Sequence, residues 1–195
     1  MVLHSEGIES FIVFTPPELA MSVSVPNAQR EVRALYKEDP GAAMVTDHAV
    51  TRGVDPSDPF HSVVEPMDGC GVAVPIGVHR ALGGLHDAPT PGDMLCAALA
   101  ACQDSSMRMV ANVLGVELEF LEVRVTADVD VRGALNMSPD VPVGFQRMRC
   151  AVQFKVTEGT HPDMVKALTF AAKRCCVVQQ TLKNPPQVET SFQLN

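Results

Sequence analysis

At 195 residues, 46% hydrophobic and 19% charged, the chain is long enough to bury a sizeable core and is sized for one domain. A formal net charge of −8, with no run of five or more Lys/Arg, argues against nucleic acid or an anionic membrane surface as a partner. No apolar stretch approaches the ~18 residues that span a bilayer. Met1–Glu6 carry neither the basic segment nor the apolar run of a secretory signal, so a cytoplasmic chain is expected. Six cysteines then suggest a reducing compartment, where thiols serve as core residues, metal ligands or catalysts.

Ile8 and Phe11–Phe14 form a candidate strand ended by Pro16-Pro17. We expect residues 1–25 to be an N-terminal arm packing on a partner subunit and residues 26–195 to be a single domain. Ala28–Lys37 reads as a short helix stopped by Pro40-Gly41, Ala43–Thr51 as a strand, and Asp55–Pro59 as a turn cluster. Phe60–Gly84 carries Val63-Val64, Val72, Val74, Ile76 and Val78 among glycines and prolines, which predicts two or three short strands. Gly83-Gly84 through Thr90 is a loop.

That loop opens the central element. Thr90 and Asp93 have the spacing of a capping box, Pro91 suits the first helical position because its missing N–H would be unpaired there, and Gly115 supplies the stop. Leu95, Ala98, Leu99, Cys102, Met109 and Val110 fall near one face, predicting a buried helix with Cys102 on its most apolar side.

Beyond Gly115 the period changes to two. Val123, Val125, Ala127, Val129 and Val131 alternate with polar residues, as do Met148, Cys150, Val152, Phe154 and Val156, predicting two antiparallel strands with one wet face. Thr160-His161-Pro162-Asp163 reads as a second capping box opening a helix to Lys173-Arg174, with Cys175–Leu182 as a bent continuation. Pro185-Pro186 breaks it, and Val188, Thr190, Phe192 and Leu194 predict a last strand. The class is α+β.

Cys102 and Cys176 are the site candidates. Cys70, Cys96 and Cys150 read as core, and Cys175 as core or as a thiol able to exchange with Cys176. His48, His61, His79 and His86 show no ligand spacing and Gly83-Gly84 no phosphate-loop context, so neither metal nor cofactor is expected.

The Thr-Pro-Gly-Asp opening, the Ala98-Leu99-Ala100-Ala101-Cys102 element, the two alternating strands and the run Cys176-Val177-Val178-Gln179-Gln180-Thr181-Leu182 resemble the osmotically inducible protein C / organic hydroperoxide resistance (OsmC/Ohr) family. The resemblance spans roughly Gly83 to Leu194. It implies an OsmC-like fold: an intertwined homodimer whose long central helices are packed against antiparallel sheets. It further implies a thiol-dependent peroxidase for organic hydroperoxides at a dimer-interface pocket, with Cys102 attacking, Cys176 resolving and an external dithiol as reductant. Cys176 is preferred to Cys175 because it sets Thr181-Leu182 at the family's spacing. An arginine is expected to lower the Cys102 pKa from its ordinary ~8.5, with Arg80 preferred to Arg52. Active members carry a glutamate ten residues before the first cysteine, where this chain has Gly92, and usually a proline where it has Val177. The alternative is a catalytically silent OsmC-like protein that binds a small apolar ligand or senses redox state.

Overall fold

The computed structural model describes residues 24–52 and 55–194; the expected strand at Ile8–Phe14 lies outside them. A single turn, α1 (Val25–Ala28), leads into α2 (Arg30–Glu38). Asp39 caps the tight turn Pro40–Ala43 by accepting the Gly41 N–H at 3.0 Å. Two short antiparallel pairings then join β1 (Val50–Arg52), β2 (Ser62–Glu65) and β3 (Val74–Ile76) into a sheet of that order, with Thr51 opposite Val64 and Ser62 opposite Ile76.

The long helix α3 runs Pro91–Leu114, 24 residues or about 36 Å. Both halves of its capping box are made: Thr90 Oγ1 accepts the Asp93 N–H at 3.2 Å, and the Asp93 carboxylate accepts the Thr90 N–H at 2.9 Å. Gly115, at φ +68°, ends the helix in the left-handed conformation that glycine takes without strain. β4 (Leu118–Asp128) and β5 (Arg147–Val156) follow as an antiparallel ribbon, with Val123 opposite Val152 and Val125 opposite Cys150. α4 (Pro162–Cys175) and α5 (Val177–Lys183) meet at Cys176, which caps the end of one and the start of the other.

The core lies where α3, α4 and the ribbon converge. Met107, Ala111, Val116, Leu168 and Ala172 form its buried centre, flanked by Leu121, Val152, Phe154 and Met164. Alternation along β5 is complete: every second residue from Met148 to Val156 turns inward. Among the described residues no helix is long and apolar enough to cross a membrane.

Several expectations change. The expected strand Ala43–Thr51 is reduced to Val50–Arg52, because β2 offers partners to those three residues alone; Met44 and Val45 are exposed. β4 begins at Leu118 rather than Val123, its first residues hidden by a register irregularity between Leu118 and Phe120. It ends at Asp128, so Val129 and Val131 fall in the turn, where Gln146 Oε1 accepts the Asp130 N–H at 2.7 Å. On α3 the buried set is Leu99, Gln103, Ser106, Met107 and Ala111, whereas Ala98 and Met109 are exposed. The helix is apolar around most of its girth, so packing against α4 and β4, not periodicity, selects the covered face.

The cap of α4 is His161, whose Nδ1 accepts the Asp163 N–H at 3.2 Å; the Thr160 hydroxyl instead donates to the Thr157 carbonyl at 2.7 Å. Residues 185–194 form no strand and are exposed throughout. Cys70 is exposed, not core, while Cys96 and Cys150 are half-buried.

Candidate active site: a thiol pair between the long helix and the α4–α5 junction

Cys102 sits in the interior of α3, beyond the first turn in which the helix dipole acts strongly. It is half-buried. Cys176, at the α4–α5 junction, is fully buried. Its S–H is within hydrogen-bonding reach of the Cys102 sulfur, so the two candidate cysteines face each other; Cys175, one residue earlier, is exposed.

The environment makes the two thiols unequal. Burial pushes the Cys176 thiol up to about 11, reinforced by the S–H bond to Cys102 and by the nearby Cys150. The Gln179 N–H, in the first turn of α5, opposes this by pointing at the Cys176 sulfur. At neutral pH Cys176 therefore keeps its proton. Both thiols are free, not joined.

A cavity of about 520 Å³ borders this region. Leu95 and Leu99, which precede Cys102 on α3, line it with Phe145, Met148 and Leu182, and Arg147 and Lys183 add two cations to the lining. Sequence reasoning missed Phe145, a lone aromatic in an irregular turn with no periodic pattern to mark it. A Cβ built on Gly92 would lie 2.9 Å from its Cζ, so the ring occupies the space a side chain at position 92 would need. The alternation of β5 predicts Cys150 as an inward core residue; it lies half-buried near Cys176, a meeting of distant segments that no local pattern reports.

Neither candidate arginine meets Cys102 in the described chain. Arg80 Nε donates to the Leu85 carbonyl at 3.1 Å, within its own loop. Arg52 pairs with Glu65 and Asp68, each at 3.0 Å. Asp93 is committed to the α3 cap: the Thr90 N–H and hydroxyl hold its carboxyl below the ordinary range, with His86 Nε2 at 3.8 Å as a further cationic neighbour when protonated.

Residues 84–191 match the family model of the OsmC-like proteins. An OsmC-like protein of unknown function from Vibrio cholerae superposes with TM-score 0.58 at 12% identity, covering 71% of this chain and 94% of that one. One from Mycoplasma pneumoniae gives 0.57 at 12% identity, covering 72% and 89%. An organic hydroperoxide resistance protein OsmC from Legionella pneumophila gives 0.52 at 26% identity, covering 72% and 91%. No curated protein matches the chain. A family match that takes in α3, the β4–β5 ribbon and the α4–α5 junction, and so both members of the thiol pair, means that this chain belongs to the OsmC-like protein family.

Proposed function

We propose that the protein reduces organic hydroperoxides through Cys102 and Cys176, working as a homodimer. The observation that carries the proposal is the contact between a half-buried Cys102 and a fully buried, proton-retaining Cys176. The Cys102 thiolate attacks the terminal oxygen of the hydroperoxide; the O–O bond breaks, the alkoxide takes a proton and leaves as an alcohol, and Cys102 becomes a sulfenic acid. The Cys176 sulfur then attacks the Cys102 sulfur, an S–S bond forms, and the hydroxyl leaves with the Cys176 proton as water. An external dithiol reduces the disulfide by exchange and is itself oxidised. The apolar wall of Leu95, Leu99, Phe145 and Met148 receives the substrate's hydrocarbon part. Arg80 is the cation assigned to pair with the Cys102 thiolate, which requires it to leave the Leu85 carbonyl.

A specific observation favours a second reading. Phe145 fills the space beside Gly92, where active relatives are expected to carry a glutamate, which fits a silent protein binding a small apolar ligand in the same cavity. One experiment separates the two. Pre-reduced protein receives one equivalent of cumene hydroperoxide, and free thiols are counted beside the Cys102→Ser variant. Rapid loss of two thiols in the wild type alone, with a Cys102–Cys176 disulfide on peptide mapping, supports the peroxidase. Peroxide consumption no faster than that of free cysteine overturns it.

A further inference from the structure

Cys150 stands near the candidate pair, yet the cycle above gives it no task. It is a free, half-buried thiol on the inward face of β5, opposite Val125 on β4. Two cavities meet at it. The one of about 520 Å³ takes in Leu95 and Leu99 of α3, and a second, of about 310 Å³, takes in Gln103 and Met107; Cys150 and Gln179 line both. Cys102 falls between Leu99 and Gln103 along α3, so Cys150 lies at the level of the thiol pair. Gln179 marks the other side of this arrangement, because its N–H points at the Cys176 sulfur. Cys150 and Cys176 thus approach from β5 and from the α4–α5 junction, close enough that charge on one is felt at the other.

We propose that Cys150 is a third redox thiol, which takes Cys176 over from the Cys102–Cys176 disulfide and returns Cys102 to its free form. The step rests on the peroxidase reading, which supplies the oxidation. The Cys150 sulfur attacks the Cys176 sulfur; a Cys150–Cys176 bond forms, the Cys102–Cys176 bond breaks, and the Cys150 proton passes to Cys102. The exchange is redox-neutral overall and needs no further oxidant. Attack on the Cys102 sulfur would instead expel the Cys176 thiolate, a poor leaving group because burial disfavours its charge. The external dithiol then attacks at Cys150, which lines both cavities. Before it arrives, Cys102 is able to reduce a second hydroperoxide, stopping at the sulfenic acid because Cys176 is engaged.

The test uses the full chain carrying Cys175→Ser, so that a disulfide to the α4–α5 junction has a single assignment. The pre-reduced protein receives one equivalent of cumene hydroperoxide without dithiol, is quenched in acid at intervals, and its disulfides are mapped. Cys102–Cys176 should appear first and Cys150–Cys176 should replace it. A second equivalent, added with dimedone to label sulfenic acids, should then label Cys102. With Cys150→Ala in the same background, the disulfide should stay at Cys102–Cys176 and the labelling should fall at least ~10-fold. Migration is read in the chain that keeps Cys150, so it does not depend on the stability of the variant. Persistence of Cys102–Cys176 in that chain, or labelling undiminished by Cys150→Ala, overturns the third thiol and leaves the peroxidase standing. No loss of thiols at all overturns both.

Discussion

At the scale of single residues, the two thiols differ through burial, and that difference is measurable as a pH dependence of stability. The Cys176 thiol is held at about 11, well above the range of an ordinary thiol, so the folded state binds its proton more tightly than the unfolded chain does. Its stabilising contribution is therefore complete below pH 9 and is lost as pH rises through about 11. The amount is on the order of 2–3 kcal/mol. Urea midpoints measured from pH 8 to 11 should fall more steeply for the wild type than for Cys176→Ala; parallel curves would show that burial does not hold this proton. A second residue-level test concerns Gly92. With Phe145 reduced to alanine, Gly92→Ala should stabilise the first turn of α3 by roughly 0.5–1 kcal/mol through the lower entropy of the unfolded chain. With the Phe145 ring in place, 2.9 Å from the new Cβ, that gain should vanish or reverse. A double-mutant cycle should give a coupling of at least ~0.5 kcal/mol; identical effects in both backgrounds would mean that the ring yields freely.

At the scale of elements, the loop that delivers the chain to α3 holds the tightest glycine crossing among the described residues. A Cβ on Gly84 would lie 2.2 Å from the Val78 carbonyl oxygen, the same oxygen that accepts the His86 N–H at 3.0 Å. Since the obstacle is main chain rather than a movable side chain, Gly84→Ala should cost roughly 3 kcal/mol. The urea midpoint should fall accordingly, and an unchanged midpoint would contradict the crossing. Elements of this kind differ in how far they can be read without coordinates. α3 was legible at both ends because Thr90, Pro91, Asp93 and Gly115 act locally, each through a bond or dihedral within a few residues. β5 was legible because one face meets the core along its whole length. The lateral face of α3 was not, since Ala98 and Gln103 compete for burial and the neighbouring elements decide the outcome. Residues 188–194 alternate as a strand does, but alternation reports capacity to pair, not the presence of a partner. In the site, Cys102 and Cys176 stood out by motif, whereas the places of Phe145 and Cys150 arise from contacts between distant segments.

At the scale of the whole molecule, much apolar surface is left without cover. Val188, Phe192 and Leu194 are 83%, 94% and 100% exposed, and the small residues Ala97, Ala98 and Ala101 form an open strip along α3. Small side chains let a second helix approach closely, and an extended apolar segment with unpaired backbone groups is a strand awaiting an edge. The proposed homodimer would meet both needs at once, with α3 packed against its copy and each 185–194 segment crossing to the other subunit's sheet. A swapped segment adds its contacts twice per dimer, so removing it should weaken association far more than a rim mutation would. Sedimentation of the full chain should give twice the chain mass at micromolar concentration. A variant ending at Asn184 should dissociate at concentrations at least ~10-fold higher, equivalent to about 1.4 kcal/mol or more. If the truncated chain dimerises as tightly as the intact one, the segment is not part of the interface; if the intact chain sediments as a monomer, the open face of α3 has some other cover.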